Sequence, residues 1–368
     1  MKVEEFKLER WLLNPCGIDA GGGGVTKLKL SDLVTDIDYD QLLNYGPTNG
    51  SERLRRLIAE WHPGVKAENV LVTTATSEAN LLCNLHLLEP GDEYLAIYPL
   101  YEQTTGFAKI LGCPVKKIYL SMDKKWKLDF KLLRKSVTPK TKIIFFDNPN
   151  NPTGTCFNEK EMKAICQLAE EVGAYVICDN ALRGSELDGK PAATPLEYYD
   201  RGIVTGSVSK LGMTGPRIGW IIASKDIANA CWKFKDYTTL SHPGIGEYLA
   251  TIAMQKENRL RYIQRNLGIS KKNLSMLSDW IDENCEMVNW VAPKAGFTGF
   301  LKYADRISFA SKEFCIRFLK EENVLLSPGE YFGMDRYFRI NFGCKNEMMP
   351  EILKRLKNFM KRLFSTFR

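Results

Sequence analysis

Between residues 69 and 206 the chain alternates short apolar runs with helix-patterned stretches, and each run stops at a polar or turn-forming residue. Asn69-Val70-Leu71-Val72-Thr73 leads into Ala75-Thr76-Ser77-Glu78-Ala79-Asn80, where a helical pattern begins and continues through Leu88. Glu93-Tyr94-Leu95-Ala96-Ile97 ends at Tyr98-Pro99, and Lys142-Ile143-Ile144-Phe145-Phe146 ends at Asp147-Asn148-Pro149. Met162, Ile165, Leu168, Ala169 and Val172 then share one helical face, with Gly173 as the stop. Ala174-Tyr175-Val176-Ile177-Cys178 ends at Asp179, and Gly202-Ile203-Val204-Thr205-Gly206 ends near Ser207. Apolar runs this short read as buried strands. Strand, helix, strand in this rhythm demands right-handed crossovers and a mainly parallel sheet. The expected fold class is α/β: a three-layer αβα large domain over residues 41–255. Past residue 255 the pattern changes to long charged helices and then short strands, Phe297 to Leu301 and Tyr337 to Asn341. Residues 256–368 are expected to form a smaller α+β domain, with residues 1–40 as an arm packed on it.

The net charge of +7 raises the question of a nucleic-acid partner. Much of that excess lies in Lys354, Arg355, Lys357, Lys361, Arg362 and Arg368, interleaved at helical spacing with Leu353, Leu356, Met360 and Leu363. That pattern is an amphipathic helix with a solvated basic face, so no nucleic-acid partner is expected. Ten cysteines lack any CxxC pair, and three histidines (His62, His86, His242) are too few for a histidine-based centre. Buried reduced thiols and no metal site are expected. No apolar run reaches membrane-spanning length, and Met1-Lys2-Val3-Glu4-Glu5-Phe6 lacks a signal-peptide core. A cytoplasmic location with no membrane partner is the expectation.

In an open α/β sheet, ligands bind beyond the carboxyl ends of the strands. The residues at those ends are Ala75-Thr76-Ser77, Tyr101, Asn151, Asp179 and Ser207 through Lys210. They offer hydroxyls at a helix start, an aromatic face, an amide, an acid and a primary amine. Such a set suits a phosphorylated pyridine aldehyde. Each residue also has an ordinary reading: a helix cap for Asp179, a turn for Asn151, core packing for Tyr101, a surface amine for Lys210.

Motifs over most of the chain decide between these readings. They are Asn44-Tyr45-Gly46-Pro47-Thr48-Asn49-Gly50 with Leu54-Arg55, Ala75-Thr76-Ser77-Glu78-Ala79, Tyr98-Pro99-Leu100-Tyr101, and Asn148-Pro149-Asn150-Asn151-Pro152-Thr153-Gly154. Asp179, Ser207-Val208-Ser209-Lys210, Gly215-Pro216-Arg217-Ile218-Gly219 and Phe338-Arg339-Ile340 complete the series. In this order and spacing the chain resembles the class I/II aminotransferases, pyridoxal-phosphate (PLP) enzymes of fold type I. The resemblance implies transfer of an amino group between an amino acid and a 2-oxo acid. It implies that Lys210 forms the internal aldimine and that Asp179 pairs with the ring nitrogen. Asn151 would donate to the phenolic oxygen and Tyr101 would stack on the ring. Ala75, Thr76, Ser77, Ser207, Ser209 and Arg217 would hold the phosphate end, joined by Tyr45 from a neighbouring subunit, which implies a homodimer with shared sites. Arg339 would clamp the substrate carboxylate, with Asn151 and the backbone of Gly24 beside it.

Three features depart from that pattern. Leu182 stands where most relatives carry a tyrosine, so one donor to the phenolic oxygen is missing and a raised cofactor imine pKa is expected. The spacing from Lys210 to Arg217 is one residue shorter than in common members. The N-terminal stretch, Phe6-Lys7-Leu8-Glu9-Arg10-Trp11 with Gly17-Ile18-Asp19 and the run Gly21 to Gly24, is similar to PLP cyclases that make capreomycidine or enduracididine. The alternative it implies is a PLP lyase or cyclase acting on an arginine-derived amino acid, with Glu9 or Asp19 facing a guanidinium.

Overall fold

The computed structural model describes residues 3–33, 38 and 40–366. Met1, Lys2 and Arg368, which enter the readings of the termini, lie outside the described residues. A seven-stranded sheet is built from β1 (Val70–Thr74), β2 (Glu93–Tyr98), β3 (Val115–Tyr119), β4 (Thr141–Asp147), β5 (Tyr175–Asp179), β6 (Gly202–Ser207) and β7 (Ile218–Ile222). Its order is β1-β7-β6-β5-β4-β2-β3, and only β7 runs against the other six. The first strand begins one residue later than the sequence suggests, because Asn69 closes a 3₁₀ turn.

The strands read as continuous apolar runs because both faces of the sheet are covered. Leu71, Ile143, Phe145, Ile177, Ile203 and Ile221 pack into one core. Their neighbours Val72, Ile144, Phe146, Val176, Val204 and Ile222 pack into the other. Full burial of each such side chain contributes about 1.5–3 kcal/mol. The crossover helix Glu159–Val172 shows how locally these elements are specified. Asn158 and Glu161 form a capping box at its start, and Gly173 ends it at φ +71°. Left-handed backbone there suits a residue without Cβ.

A second, antiparallel sheet holds β8 (Val288–Trp290), β9 (Thr298–Tyr303), β10 (Ser327–Pro328) and β11 (Tyr337–Asn341), in the order β10-β11-β9-β8. The long helix Lys256–Glu283 precedes it, and the helix Met349–Thr366 buries Leu353, Leu356, Met360 and Leu363 behind it. The N-terminal segment docks on this side. Ile18–Asp19 pairs in parallel with Val324–Leu325, and Trp11 Nε1 donates to Leu326 O at 2.7 Å. This docking carries the glycine run to the carboxyl edge of the large sheet, where it meets Lys210.

Candidate active site

The parallel strands end on one side of the large sheet, and the residues just past those ends line a cavity of about 740 Å³. Lys210, Asp179, Asn151, Tyr101, Ala75, Thr76, Ser77, Ser207, Ser209, Arg217, Arg339 and Gly24 all line it. Tyr45 does not: it lies on the surface, 72% exposed, and its carbonyl accepts from Ser241 Oγ. Leu182 contributes apolar wall, packed with Val25 and Phe297, and offers no donor.

Lys210 sits on a short 3₁₀ turn, Val208–Leu211, that follows β6 directly. Its Nζ donates to Gly23 O at 2.6 Å. Burial, then the nearby charges of Lys27 and Arg339, push its pKa down to about 8, while Asp179 and Glu9 pull the other way. An amine so tuned is about one-tenth uncharged at pH 7, several hundredfold more than an ordinary lysine, and the uncharged form is the one that attacks carbonyls and takes up protons.

Asp179 ends β5. Burial raises its pKa, against two donors that favour the ionised form: Asn80 Nδ2 at 3.0 Å and the Ala181 N–H at 2.9 Å. Asn80 is itself fixed by Thr205 Oγ1, which donates to its Oδ1 at 2.8 Å. Hydrogen-bonded on both sides, this carboxylate can face a cationic ring nitrogen.

Arg339 is 2% exposed in β11, opposite Phe300 of β9 and Ser327 of β10. Its Nη1 donates to Asn151 Oδ1 at 3.1 Å, and its Nε donates to Gly21 O at 3.2 Å. Burial lowers its pKa to about 10, so it stays charged at neutral pH. With Oδ1 occupied, Asn151 keeps its amide donors for a ligand. The glycine run offers carbonyls to three site donors: Gly21 to Arg339, Gly23 to Lys210 and Gly24 to Asn341. Gly24 thus turns its carbonyl toward Asn341.

The far end of the cavity suits a phosphate. The thirteen-residue helix Ala75–Leu87 begins there, and Thr76 Oγ1 is buried with no hydrogen-bond partner among the described residues. Free N–H groups at a helix start and an orphaned hydroxyl together form an anion cradle. Ala75 and Arg217 both take left-handed backbone, at φ +63° and +55°, and such strain in non-glycine residues gathers at binding sites. A Cβ on Gly219 would lie 2.3 Å from the Ala75 carbonyl carbon, so glycine there lets β7 approach the helix start. Hydroxyls, guanidinium, amine, amide and acid in one cavity fit a phosphorylated ring bearing an aldehyde.

Sequence reasoning passed over three residues of this site. Asn80 looks like an ordinary helical polar residue, and its place between Ala79 and Leu81-Leu82 is the one available signal of its burial. Asp147 looks like a strand stop, although the same strand-end rule selects it. Lys27 follows the glycine run, and nothing in its local sequence marks it. Glu9 lines the cavity and accepts from Tyr101 OH at 2.7 Å. Asp19 also lines it, with Oδ1 taken by the N–H groups of Gly21 and Gly22.

Residues 33–356 match the family model described as aminotransferase class I and II. A PLP-dependent aminotransferase from Streptococcus suis superposes with a TM-score of 0.91 at 31% identity, over 99% of each chain. Capreomycidine synthase from Streptomyces vinaceus is 28% identical over 315 residues, covering 85% of this chain and 80% of its own. A probable aspartate aminotransferase from Methanocaldococcus jannaschii is 27% identical over 332 residues, covering 85% and 84%.

Proposed function

From the premise that this chain belongs to the class I and II aminotransferase family, a PLP-dependent transferase of fold type I, we propose that Lys210 is the amine that holds its cofactor and moves the proton at the substrate α-carbon. The enzyme transfers an amino group between an amino acid and a 2-oxo acid. The observation that carries the residue assignment is the convergence of Lys210, Asp179 and Arg339 in one cavity, with the Lys210 amine tuned to about 8. Bound PLP supplies the aldehyde for the exchange and a ring that accepts the electron pair released at the α-carbon.

The chain's own groups divide the remaining work. Asp179, held by Asn80 and Ala181, meets the ring nitrogen. Tyr101 covers one ring face, and Asn151 donates to the phenolic oxygen. Thr76, Ser77, Ser207, Ser209 and Arg217 hold the phosphate at the helix start. Arg339 takes the substrate carboxylate as a planar fork, with Asn151 and Gly24 adjoining. Replacement of Arg339's carbonyl partner Gly21 by a carboxylate would exchange a dipole for a full charge.

A homodimer forms part of the proposal, with Tyr45 serving the neighbouring site. Its support is the exposure of Leu42 (70%), Leu43 (87%) and Tyr45 (72%) in one stretch, an apolar surface that a second copy would cover. A cytoplasmic location and a division at residues 40 and 255 into arm, cofactor domain and small domain belong to the same proposal. No described helix is long and apolar enough to cross a membrane.

A second reading is a lyase or cyclase acting on an arginine-derived amino acid. It is favoured by one observation, the carboxylate of Glu9 in the cavity wall, together with the similarity to capreomycidine synthase. An amino-donor screen separates the two. Amino transfer converts the cofactor to its amine form and stalls until a 2-oxo acid is added; elimination turns over without one. Turnover of Lys210→Ala at the wild-type rate would overturn the central assignment.

A further inference from the structure

Among the described residues, the cations lining the cavity are Lys27, Lys210, Arg217, Arg339 and Lys345. Three of these have acceptors within the fold. Lys210 Nζ donates to Gly23 O, Arg217 Nη1 donates to Thr214 O at 3.3 Å, and Arg339 donates to Asn151 and Gly21. The same three are assigned to the cofactor and the substrate α-carboxylate. Lys27 and Lys345 are exposed, and neither amine has a hydrogen-bond or ion-pair partner among the described residues.

The fold sets these two lysines on adjoining segments. The Thr26 N–H donates to Gly343 O at 2.7 Å, which places the stretch carrying Lys27 beside the stretch carrying Lys345. The backbone at Lys27 is pinned on both sides: the Leu28 N–H donates to Gly212 O at 3.0 Å, and Arg265 Nη1 donates to Thr26 O at 3.0 Å. Lys27 Nζ lies 3.2 Å from the point a Cβ on Gly24 would take, and Arg339 Nη1 lies 3.1 Å from the point a Cβ on Gly23 would take. Consecutive Cα atoms are about 3.8 Å apart, so the two cations flank neighbouring positions of the glycine run, a spacing that the two ends of one short acid can bridge. The acids of the N-terminal arm have donors of their own. Glu9 accepts from Tyr101 OH, and Asp19, whose charge reaches Lys27, accepts from the N–H groups of Gly21 and Gly22. Ammonium groups without acceptors, next to the fork that takes the α-carboxylate, form a cradle for a further anion.

We infer that Lys27, supported by Lys345, is a specificity-determining residue for the substrate side chain: its amine takes a second carboxylate, so the site favours short dicarboxylic amino acids and 2-oxo acids. The inference deepens the amino-transfer reading and rests on its assignment of Arg339 to the α-carboxylate. It opposes a cationic side chain, since both lysines repel a guanidinium.

The test uses the full-length, PLP-loaded enzyme and its Lys27→Met, Lys27→Arg and Lys345→Met variants. Calorimetric titration at pH 7 compares glutarate with pentanoate, acids of the same carbon number that differ in the second carboxylate and carry no reacting group. Wild type should bind glutarate about tenfold or more tightly than pentanoate, as expected for a charge-assisted hydrogen bond. Lys27→Met should bring that ratio to within about twofold of unity, Lys345→Met should lower it several-fold, and Lys27→Arg should keep most of it. In steady-state kinetics, the preference in kcat/KM for 2-oxoglutarate over 2-oxopentanoate should fall by a similar factor in Lys27→Met. Equal binding of the two acids by wild type, or a Lys27→Met variant that keeps the wild-type ratio, overturns the inference. If Lys27→Met does not fold, the wild-type ratio and Lys345→Met still decide. An enzyme that prefers glutarate through Lys27 yet turns over no 2-oxo acid would sink the amino-transfer reading and leave the second-carboxylate assignment standing.

Discussion

Replacing Lys210 by Met should make the cofactor-free protein more stable at neutral pH, although it abolishes activity. The Lys210 amine has its pKa lowered from 10.5 to about 8, chiefly by burial and then by the charges of Lys27 and Arg339. Each unit corresponds to about 1.4 kcal/mol, so holding the protonated amine in the fold costs about 3 kcal/mol below pH 8. Methionine keeps the apolar stem without the charge and loses the bond to Gly23 O, worth about 1 kcal/mol. The net gain for Lys210→Met at pH 6.5 is therefore about 2 kcal/mol. The pH dependence follows from linkage. Between about pH 8 and 10.5 the unfolded chain binds the proton that the folded chain has released, so wild-type stability rises with pH in that window. The advantage of Lys210→Met should shrink across it and vanish, or reverse by the lost bond, near pH 10.5. Urea denaturation of both apoproteins at half-unit pH intervals measures the difference directly. A difference that stays constant from pH 6.5 to 10.5 would refute the claim that the fold depresses this amine.

Four further outcomes follow from the same geometry. Asn80→Ala removes a donor from the buried Asp179 and strands Thr205 Oγ1, so thermal or urea melts should show a loss of about 2–4 kcal/mol. Because Asn80 favours the ionised acid, that deficit should be larger at pH 8 than at pH 5. Arg339→Lys keeps the charge but not the fork, and steady-state kinetics should show KM for the amino acid raised about tenfold or more. Gly23→Ala places a Cβ 3.1 Å from Arg339 Nη1, so the same assay should show KM raised several-fold with little change in melting temperature. Leu182→Tyr supplies a hydroxyl to the apolar wall, and the visible band of the bound cofactor should titrate at lower pH than in wild type.

The strands of the large sheet were legible because burial on both faces leaves unbroken apolar runs, and because each run stops sharply. Asp179 and Ser207 end β5 and β6 at the positions the sequence marks. The helix Glu159–Val172 was legible for a local reason too, since its capping box and terminal glycine are contiguous with it. β7 escaped notice because Ile218–Ile222 follows a turn rather than a crossover helix, which is why it runs antiparallel. On the large-domain side, Ala75 to Ser77, Tyr101, Asn151, Asp179 and Ser207 to Lys210 were readable from strand ends, whereas Arg217 was readable only through the family resemblance. Arg339 was readable only through the family resemblance, because nothing around Phe338-Arg339-Ile340 says which face of a short strand points at a distant sheet.

The sequence by itself determined which residue types stand at the carboxyl ends of the parallel strands: an amine after β6, an acid at the end of β5, an amide after β4, hydroxyls at the helix start. Periodicity and strand-end position are local properties, so they are written in neighbouring residues. Only the tertiary structure decided what those groups feel. Asn80 reaches Asp179 across 99 positions and the glycine run reaches Lys210 across 187. Asp147 meets Asp179 only because β4 and β5 pair in register. Protonation and charge depend on such neighbours and on burial, and both exist only once the two sheets and the N-terminal arm have closed around the cavity.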